Sequence, residues 1–511
     1  MGAHTLSITV FVILIAVTLI ITWWTAKRVK SSRDFYAAGR AIRGWQNGLA
    51  IAGEFMAAAA FLGISGLIAF YGIDAQIYSL TWFASFFVVL ILTAEMIRNT
   101  GKYTFADIVS YRLADLKVRP LLAVCVLVVS ITYLIPQMVA AGSLSKMLFG
   151  LSNVWGILIV GFLMIFYIAF GGMVTATWIQ SIKAVLLLVG GYMLAFMTLS
   201  HFNFSPGELI SAVKNSPTLG DGWLNPGGWL SNPAERFSLG FSCLFGTAAM
   251  PHVIMRFYTV PTKKHAQSSA MWTMTFMAMF HILTWIFGLG AAALIGPEII
   301  AAADKGGNIA TPMLAQFVAG GAGTIGGDLF MAFIVSVAMI VIIAAVSGLC
   351  IAASSTFSYD FWFKVVKKGQ QSPESQLRTA RLAAVVIGGI SILLALGLKD
   401  SNVAYLSGLA FAIAATVNLP AILYALYWRK LTTQGALIGI IGGVIVGVLS
   451  VVLGPAVMKE AAIFPLKNPG IITIPIGFAL TYIGSVLTRD KTANDKYTEL
   501  SVRSFTGLGS E

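Results

Sequence analysis

Long apolar segments recur along almost the whole chain, and they limit its fold more than any other feature. A helix needs roughly 20 apolar residues to cross the hydrocarbon layer of a membrane. Segments of about this length lie at 5–25, 45–72, 77–97, 120–142, 153–172, 176–198, 237–257, 270–296, 328–358, 379–398, 403–427, 435–457 and 470–488. The sequence therefore predicts an all-α polytopic membrane protein with thirteen transmembrane helices.

Composition agrees with a membrane protein. Only 10% of the 511 residues are charged, whereas a soluble protein of this size carries about 25%. The 51 glycines suit helices that approach closely in a bilayer. The net charge of +13 would suggest nucleic-acid binding in a soluble chain, but here its distribution decides its meaning.

Lysine and arginine fall mainly in alternate loops between the predicted spans. One side holds 25 of them and the other holds 7, with Lys183 inside a span. Cytoplasmic loops are enriched in Lys and Arg. We therefore expect a multi-pass protein of the cell membrane with its N-terminus outside and its C-terminus in the cytoplasm.

The domain organisation follows from the spans. We expect a single transporter domain over 1–511, with no obligate protein partner and no nucleic acid. Its parts are a peripheral N-terminal helix at 5–25, a first inverted repeat at 45–198, a second at 237–427, two C-terminal helices at 435–488, and a polar, mobile cytoplasmic tail at 489–511.

Two predicted spans contain signals for a broken helix. Gly53 lies next to Glu54 in the second span, and Gly246 and Thr247 precede Pro251 in the seventh. Proline removes a backbone donor and disfavours helix before it. A single break of this kind is more often a packing kink in a membrane helix. Paired breaks five spans apart, however, are typical of two inverted five-helix repeats with a binding site at the membrane midplane.

Several polar residues in the predicted spans need an explanation. Glu54 is the hardest to explain structurally, because a carboxylate at mid-span costs at least ~2.5 kcal/mol and is too short to reach the interface. Lys183 either snorkels to the cytoplasmic face or serves a function. Gln137 either joins helices or binds substrate, and Ser347 either bonds a carbonyl one turn back or binds a ligand.

Three motifs resemble the sodium/solute symporter family. The loop SSRDFYAAGR resembles the family's DFxxAGR, the stretch MPHVIMRF resembles QPHIxxRF, and YWRKLTTQGALIG resembles W-x-x-x-T-x-x-G-A. Longer stretches, such as FGGMVTATWIQSIKAVLLL and GLAFAIAATVNLPAILYALYWRK, are similar to the acetate permease branch of cation/acetate symporters. This resemblance implies a LeuT-like fold of inverted repeats, alternating access, and uptake driven by a cation gradient.

The resemblance also implies an ion site. Carried over, the backbone carbonyls that hold sodium fall at Gly53 and Met56 on the first broken helix and near Val341 on the ninth span. The two hydroxyl ligands fall on Ala344 and Ala345, which have no hydroxyl.

Two further positions complete this comparison. An acidic residue of many members falls on Gln180, and Ser347 remains one turn farther on. Sodium is therefore assigned only to Gly53, Met56, Val341 and Ser347, and a hard cation held by carbonyls without a carboxylate binds weakly. We hypothesise that Glu54, alone or paired with Lys183, takes the place of the ion and carries a proton.

The substrate site is expected to hold a carboxylate in a small apolar pocket. Its candidate residues are Phe55 and Phe245 as walls, with Gln137, Gly246 and Thr247, and also Lys183, as polar contacts. The implied function is a secondary symporter that imports acetate or a related short-chain monocarboxylate with H⁺, or with Na⁺.

Other functions remain open from the sequence. One is a sodium-coupled symporter of another small solute, such as an amino acid, and others are a channel or a membrane sensor. The chain has no H-E-x-x-H, G-x-S-x-G or Walker motif, so an enzyme is not expected. No cofactor other than the coupling cation is expected, and the partners are a small solute and the lipid bilayer.

Overall fold

The computed structural model of the protein describes residues 8–13, 15–17, 20, 24, 37–170 and 173–509. The described part of the chain is helical and contains no strand. Its α-helices are α1 Gly44–Phe55, α2 Ser65–Tyr71, α3 Gln76–Val88, α4 Ala94–Thr100, α5 Ala106–Ser110, α6 Asp115–Phe149, α7 Asn153–Phe170, α8 Met173–Ser200, α9 Pro206–Lys214, α10 Pro233–Ala249, α11 Pro251–Arg256, α12 Lys263–Leu294, α13 Pro297–Ala303, α14 Ala310–Val318, α15 Ile325–Thr356, α16 Pro373–Gly397, α17 Val403–Tyr427, α18 Thr433–Val452, α19 Pro455–Met458, α20 Gly470–Val486 and α21 Lys491–Thr506. Wider π-helical turns at Ala59–Ile64, Val89–Thr93 and Phe357–Val366 connect or extend some of these helices.

The count of thirteen spans is not confirmed. Among the described residues, nine helices are long and apolar enough to cross a membrane, or up to ten if the bent pair α20 and α21 is one span. Of the predicted span 5–25, the structure describes residues 8–13, 15–17, 20 and 24 only. The predicted span 77–97 and the end of the predicted span 45–72 share one helical run, Ala59–Thr100. The first half of the broken helix, α1, has only 12 residues.

Both predicted helix breaks are present, at slightly different positions. α1 ends at Phe55, and Met56 leaves the helical conformation with φ −71° and ψ 45°. α10 continues through the predicted break at Gly246 and Thr247 and ends only at Ala249, because Met250 becomes extended immediately before Pro251. The second break thus lies where proline restricts the preceding residue.

Close helix contacts bring the two broken helices into the centre. A Cβ atom at Gly53 would lie 2.4 Å from the carbonyl oxygen of Gln180, and a Cβ at Gly246 would lie 2.4 Å from that of Phe411. Only glycine permits such an approach of backbones. α15 and α17 are buried over most of their apolar length, whereas α18 is mostly exposed on the outside of the bundle.

The C-terminal tail differs from the expected mobile segment. Residues 491–506 form α21, which turns by 119° from α20. The Asn99 side chain donates to the carbonyl oxygen of Ser504 at 2.8 Å, and Arg503 donates to that of Asn99 at 3.1 Å. The tail therefore packs against the end of α4.

Candidate functional site

Glu54 lies next to the end of α1 and is buried, with 2% of its surface exposed. Its Oε2 accepts a hydrogen bond from Nε of Arg256 at 3.1 Å. Arg256 is the last residue of α11 and is equally buried. An ion pair between α1 of the first broken helix and α11 of the second therefore offsets the cost of the buried carboxylate.

Further hydrogen bonds hold both the guanidinium and the backbone of Arg256 in place. Its Nη1 donates to the Thr177 hydroxyl at 2.9 Å, which joins α11 to α8. Its backbone carbonyl accepts from the Asn47 side chain at 3.1 Å and from the Thr259 hydroxyl at 2.7 Å. Asn47 and Glu54 lie on one face of α1 because seven residues make almost two turns.

Lys183 and Gln180 both reach across to α15. Lys183 Nζ donates to the carbonyl oxygen of Val341 at 3.1 Å, and Gln180 Nε2 donates to that of Ala344 at 3.1 Å. Both side chains are fully buried or nearly so. Lys183 therefore does not snorkel out of the protein, and the two carbonyls lie three residues apart on adjoining turns of the same helix.

A glycine on α15 makes room for the carboxylate. A Cβ atom at Gly348 would lie 2.7 Å from Oε1 of Glu54 and 3.5 Å from Nε2 of Gln180. Within the described residues, neither Oε1 of Glu54 nor Oε1 of Gln180 has a hydrogen-bond partner. Four separate helices, α1, α8, α11 and α15, thus converge on one buried polar cluster.

The positions that the family resemblance assigns to sodium have other contacts in the structure. The Val341 carbonyl accepts from the Lys183 ammonium, whose positive charge would repel a sodium ion there. The Ser347 hydroxyl donates to the carbonyl of Ile343 one turn back at 2.8 Å, which leaves its oxygen able to accept. Ala344 and Ala345 are buried and supply no side-chain oxygen. The α15 side of the implied sodium site thus offers fewer side-chain oxygens than the two hydroxyls that the family resemblance assigns there.

An aromatic cluster lies beside the first break. The Phe55 ring is 5.3 Å from that of Phe86, 6.1 Å from Phe411 and 6.3 Å from His252. The ring of His252 stacks on Tyr133 at 5.4 Å with an angle of 9° between the planes. The break between α1 and the π-turn is thus surrounded by flat apolar surfaces.

The other predicted substrate contacts are placed differently. Gln137 lies one turn beyond Tyr133 on α6 and is fully buried, and no described residue bonds to its amide oxygen or nitrogen. The Thr247 hydroxyl donates to the carbonyl of Cys243 within its own helix. Phe245 stacks on the exposed Phe241 at 5.6 Å. Of these predicted contacts, Gln137 has side-chain polar atoms without a hydrogen-bond partner among the described residues.

Comparison with known proteins agrees with this architecture. A model of the sodium:solute symporter family matches residues 35–443. The chain belongs to the sodium:solute symporter family. This finding supports a solute transporter in a membrane rather than an enzyme, and it supports coupling to a cation.

Individual relatives of the symporter point the same way. It is 42% identical over 510 residues to an uncharacterized symporter, YwcA, of Bacillus subtilis (strain 168), with 98% of each chain covered. Its fold is similar to that of a Na⁺-coupled sialic acid symporter in a substrate-bound outward-open state, with a TM-score of 0.77 and 16% identity over 95% of this chain and 98% of the other.

A more distant structure shares the fold. Mhp1, a nucleobase-cation-symport-1 family transporter in a closed conformation with bromovinylhydantoin bound, gives a TM-score of 0.54 at 15% identity, over 91% of this chain and 98% of the other. Together these structures support the LeuT-like fold of the symporter.

The structure adds two residues that the sequence analysis did not select. Arg256 lies at the end of an apolar span, so the count of Lys and Arg assigns it to a cytoplasmic loop. It also belongs to the stretch MPHVIMRF, which resembles a family motif. His252 belongs to the same stretch, and neither of its ring nitrogens has a hydrogen-bond partner among the described residues. The motif was therefore the available signal for both.

Proposed function

We propose that the symporter imports acetate or a related short-chain monocarboxylate together with a proton. The observation that carries this proposal is the charge of the buried cluster. Lys183 and Arg256 supply two positive charges within electrostatic range of the single carboxylate of Glu54. With Lys183 protonated, the cluster carries one uncompensated positive charge.

An uncompensated charge inside a protein is costly, and it can be removed in two ways. Lys183 can release a proton, whereas a guanidinium stays charged. Alternatively, a monocarboxylate anion near the cluster balances the charge while the proton stays. Each ligand therefore favours the other, and release of both leaves a neutral cluster. This reciprocity is what symport of an anion with a proton requires.

The position of the Lys183 ammonium supports a proton rather than sodium as the coupling ion. It donates to Val341, the carbonyl that the family resemblance assigns to sodium. In this proposal the Lys183 ammonium occupies the place of the sodium ion. The fixed charges of Glu54 and Arg256 set the electrostatic potential at the ammonium. The proton moves on and off Lys183, and Glu54 sets whether it can bind.

The substrate carboxylate has two buried donors available near the first break. The side chains of Gln137 and His252 have no hydrogen-bond partner within the described part of the chain. The rings of Phe55 and Phe411 offer apolar surface for a short alkyl group. Gly246 and Thr247 remain candidate contacts for another conformation of the second broken helix, with Phe245 as a wall. A ligand as small as acetate makes few contacts, so its affinity is expected to be modest.

The remaining features follow the charge distribution and the family fold. We infer a cell-membrane location with the N-terminus outside and the C-terminus in the cytoplasm. We infer that 1–511 is one transporter domain with a peripheral helix at 5–25, inverted repeats at 45–198 and 237–427, a helix pair at 435–488 and a cytoplasmic tail at 489–511.

The test is uptake of labelled acetate by proteoliposomes that contain the purified symporter, at several external pH values and with unlabelled competitor acids. We expect saturable uptake that increases as the outside is acidified and that propionate or pyruvate inhibits. We expect Glu54→Gln to abolish the stimulation by the proton gradient. Wild-type uptake that ignores the gradient, or a Glu54→Gln variant that keeps the stimulation, would refute the proposal.

A further inference from the structure

A polar cavity lies far from the central cluster, where the C-terminal tail joins the bundle. Its volume is about 450 Å³. It is enclosed by the segment before α6, the start of α18 and the junction of α20 with α21. Its charged lining residues are Arg112, Asp115, Lys117, Arg489, Asp490 and Lys496.

Both carboxylates of the cavity already have partners. Asp115 accepts from Arg119 at 2.6 Å. Asp490 accepts from the Thr433 hydroxyl at 2.6 Å and from the backbone amide of Ala493 at 3.0 Å. Burial alone would raise the pKa of Asp490, but these hydrogen bonds lower it below its usual value. Asp490 stays ionised, and Arg119 is shared by Asp115 with Asp107 and Asp360, so the cavity lining carries four cations against two carboxylates.

One of the four cations is fully used by the protein. Arg112 is buried and donates to four backbone carbonyls between residues 425 and 431. Its guanidinium also lies 4.7 Å from the ring centre of Tyr497. Burial lowers the pKa of Arg112 to about 10, so it stays charged at neutral pH. It serves to hold the wall of the cavity.

The other three cations of the cavity lining are not paired directly with a carboxylate. Lys117, Arg489 and Lys496 form no ion pair with any described residue, although ion pairs occur elsewhere on the protein. All three are solvent-exposed. The cavity therefore combines a defined shape with an excess of positive charge, four cations against two carboxylates, and this excess favours an anionic ligand.

The surroundings indicate where this ligand comes from. Next to these cations, Leu116 is 66% exposed, Val486 56% and Leu487 77%. These side chains continue the apolar outer surface of α6 and α20, so the cations stand at the edge of the lipid-facing surface. This edge belongs to the side that the distribution of Lys and Arg assigns to the cytoplasm, where anionic lipids attract basic clusters.

We propose that this cavity binds the phosphate headgroup of an anionic phospholipid of the cytoplasmic leaflet. Lys117, Arg489 and Lys496 hold the phosphate oxygens, and the acyl chains lie along Leu116, Val486 and Leu487. Lipid bound here would tie α21 to the start of α6 and to α18. The inference does not depend on which solute the symporter carries.

The experiment uses the full-length symporter in a neutral detergent and measures lipid binding by native mass spectrometry. Phosphatidylglycerol and phosphatidylcholine are the probes. The variant replaces Lys117, Arg489 and Lys496 with Gln, and its control replaces Lys364, Lys367 and Lys368 with Gln. Both remove three positive charges from the same predicted face, but only the first set lines the cavity.

We expect the wild type to bind phosphatidylglycerol more tightly than phosphatidylcholine. Each cation near an anionic lipid surface contributes roughly fivefold in affinity, so the triple variant should lose on the order of a hundredfold and the control about fivefold or less. The single change Lys496→Gln should lose about fivefold, which provides a test if the triple variant folds poorly.

Two results would overturn the proposal. Equal losses in the triple variant and in the control would mean that diffuse surface charge, and not the cavity, binds the lipid. If inorganic phosphate occupies the site and displaces phosphatidylglycerol completely, the ligand is a free anion and the assignment to lipid is wrong. Retained lipid with added phosphate supports the lipid site.

Discussion

The Glu54→Gln substitution gives the strongest prediction about the buried cluster. It keeps the size of the side chain but removes the negative charge that Arg256 contacts at 3.1 Å. Removing one partner of a buried ion pair costs about 3–5 kcal/mol, because the other charge remains buried without compensation. A protonated Lys183 increases this cost, because it adds a second uncompensated positive charge. Lys183 should therefore bind a proton less readily in the Glu54→Gln variant.

A double-mutant cycle with Lys183→Met isolates the coupling between the two side chains. Lys183→Met alone leaves the neutral pair of Glu54 and Arg256 and removes one hydrogen bond, for a cost of about 1 kcal/mol. The double variant carries the same net charge as the wild type, because one cation remains. Its destabilisation should therefore be smaller than the sum of the single effects by about 1–3 kcal/mol.

The assay is equilibrium unfolding of the purified variants in mixed micelles with increasing SDS. Glu298→Gln provides the matched control, because Glu298 is exposed on α13 and forms no ion pair with a described residue. Its effect should add to that of Lys183→Met. Additivity of Glu54→Gln with Lys183→Met to within about 0.5 kcal/mol would refute the electrostatic coupling.

Three further changes test other parts of the structure. Gly348→Ala places a methyl group 2.7 Å from the Glu54 carboxylate and should reduce acetate uptake strongly. The control Gly389→Ala meets nothing within 4 Å and should leave the rate of acetate uptake unchanged. Equal uptake rates in the two variants would show that the space at Gly348 is not needed. Gln137→Leu should raise the apparent KM for acetate about tenfold, through loss of a hydrogen bond to a charged group worth about 1.5 kcal/mol, and an unchanged KM would remove this residue from the site. The lowered pKa of Asp490 means that its contribution to tail docking is complete above the usual carboxyl pKa of 3.8 and is lost as the pH falls below it. Pepsin digestion should therefore begin at the tail only in that acid range, and Asp490→Asn should expose the tail to trypsin at neutral pH. A tail that resists trypsin equally in the wild type and in Asp490→Asn would contradict this role.

The sequence predicted the fold class, and it drew attention to part of the candidate site, because both depend on strong local rules. Glu54 stood out because a carboxylate in an apolar segment costs several kcal/mol. Pro251 located the second break to within a few residues, since proline restricts the residue before it. These signals need no knowledge of tertiary contacts.

Features that depend on tertiary contacts were harder to predict. Arg256 is indistinguishable in sequence from a loop cation, and only the approach of α11 to α1 makes it the partner of Glu54. The ordered tail depends on Asn99 and other distant partners. The count of thirteen spans stays unconfirmed, because broken helices leave short pieces such as α1, which has 12 residues.

The most direct test of the central claim separates the two candidate cations. Proteoliposomes containing the wild-type symporter are loaded so that a proton gradient or a sodium gradient is imposed alone, with the membrane potential clamped, and labelled acetate uptake is measured. If the Lys183 ammonium takes the place of sodium, the proton gradient drives accumulation and the sodium gradient does not. Accumulation driven by sodium alone, with no response to the proton gradient, would contradict the account.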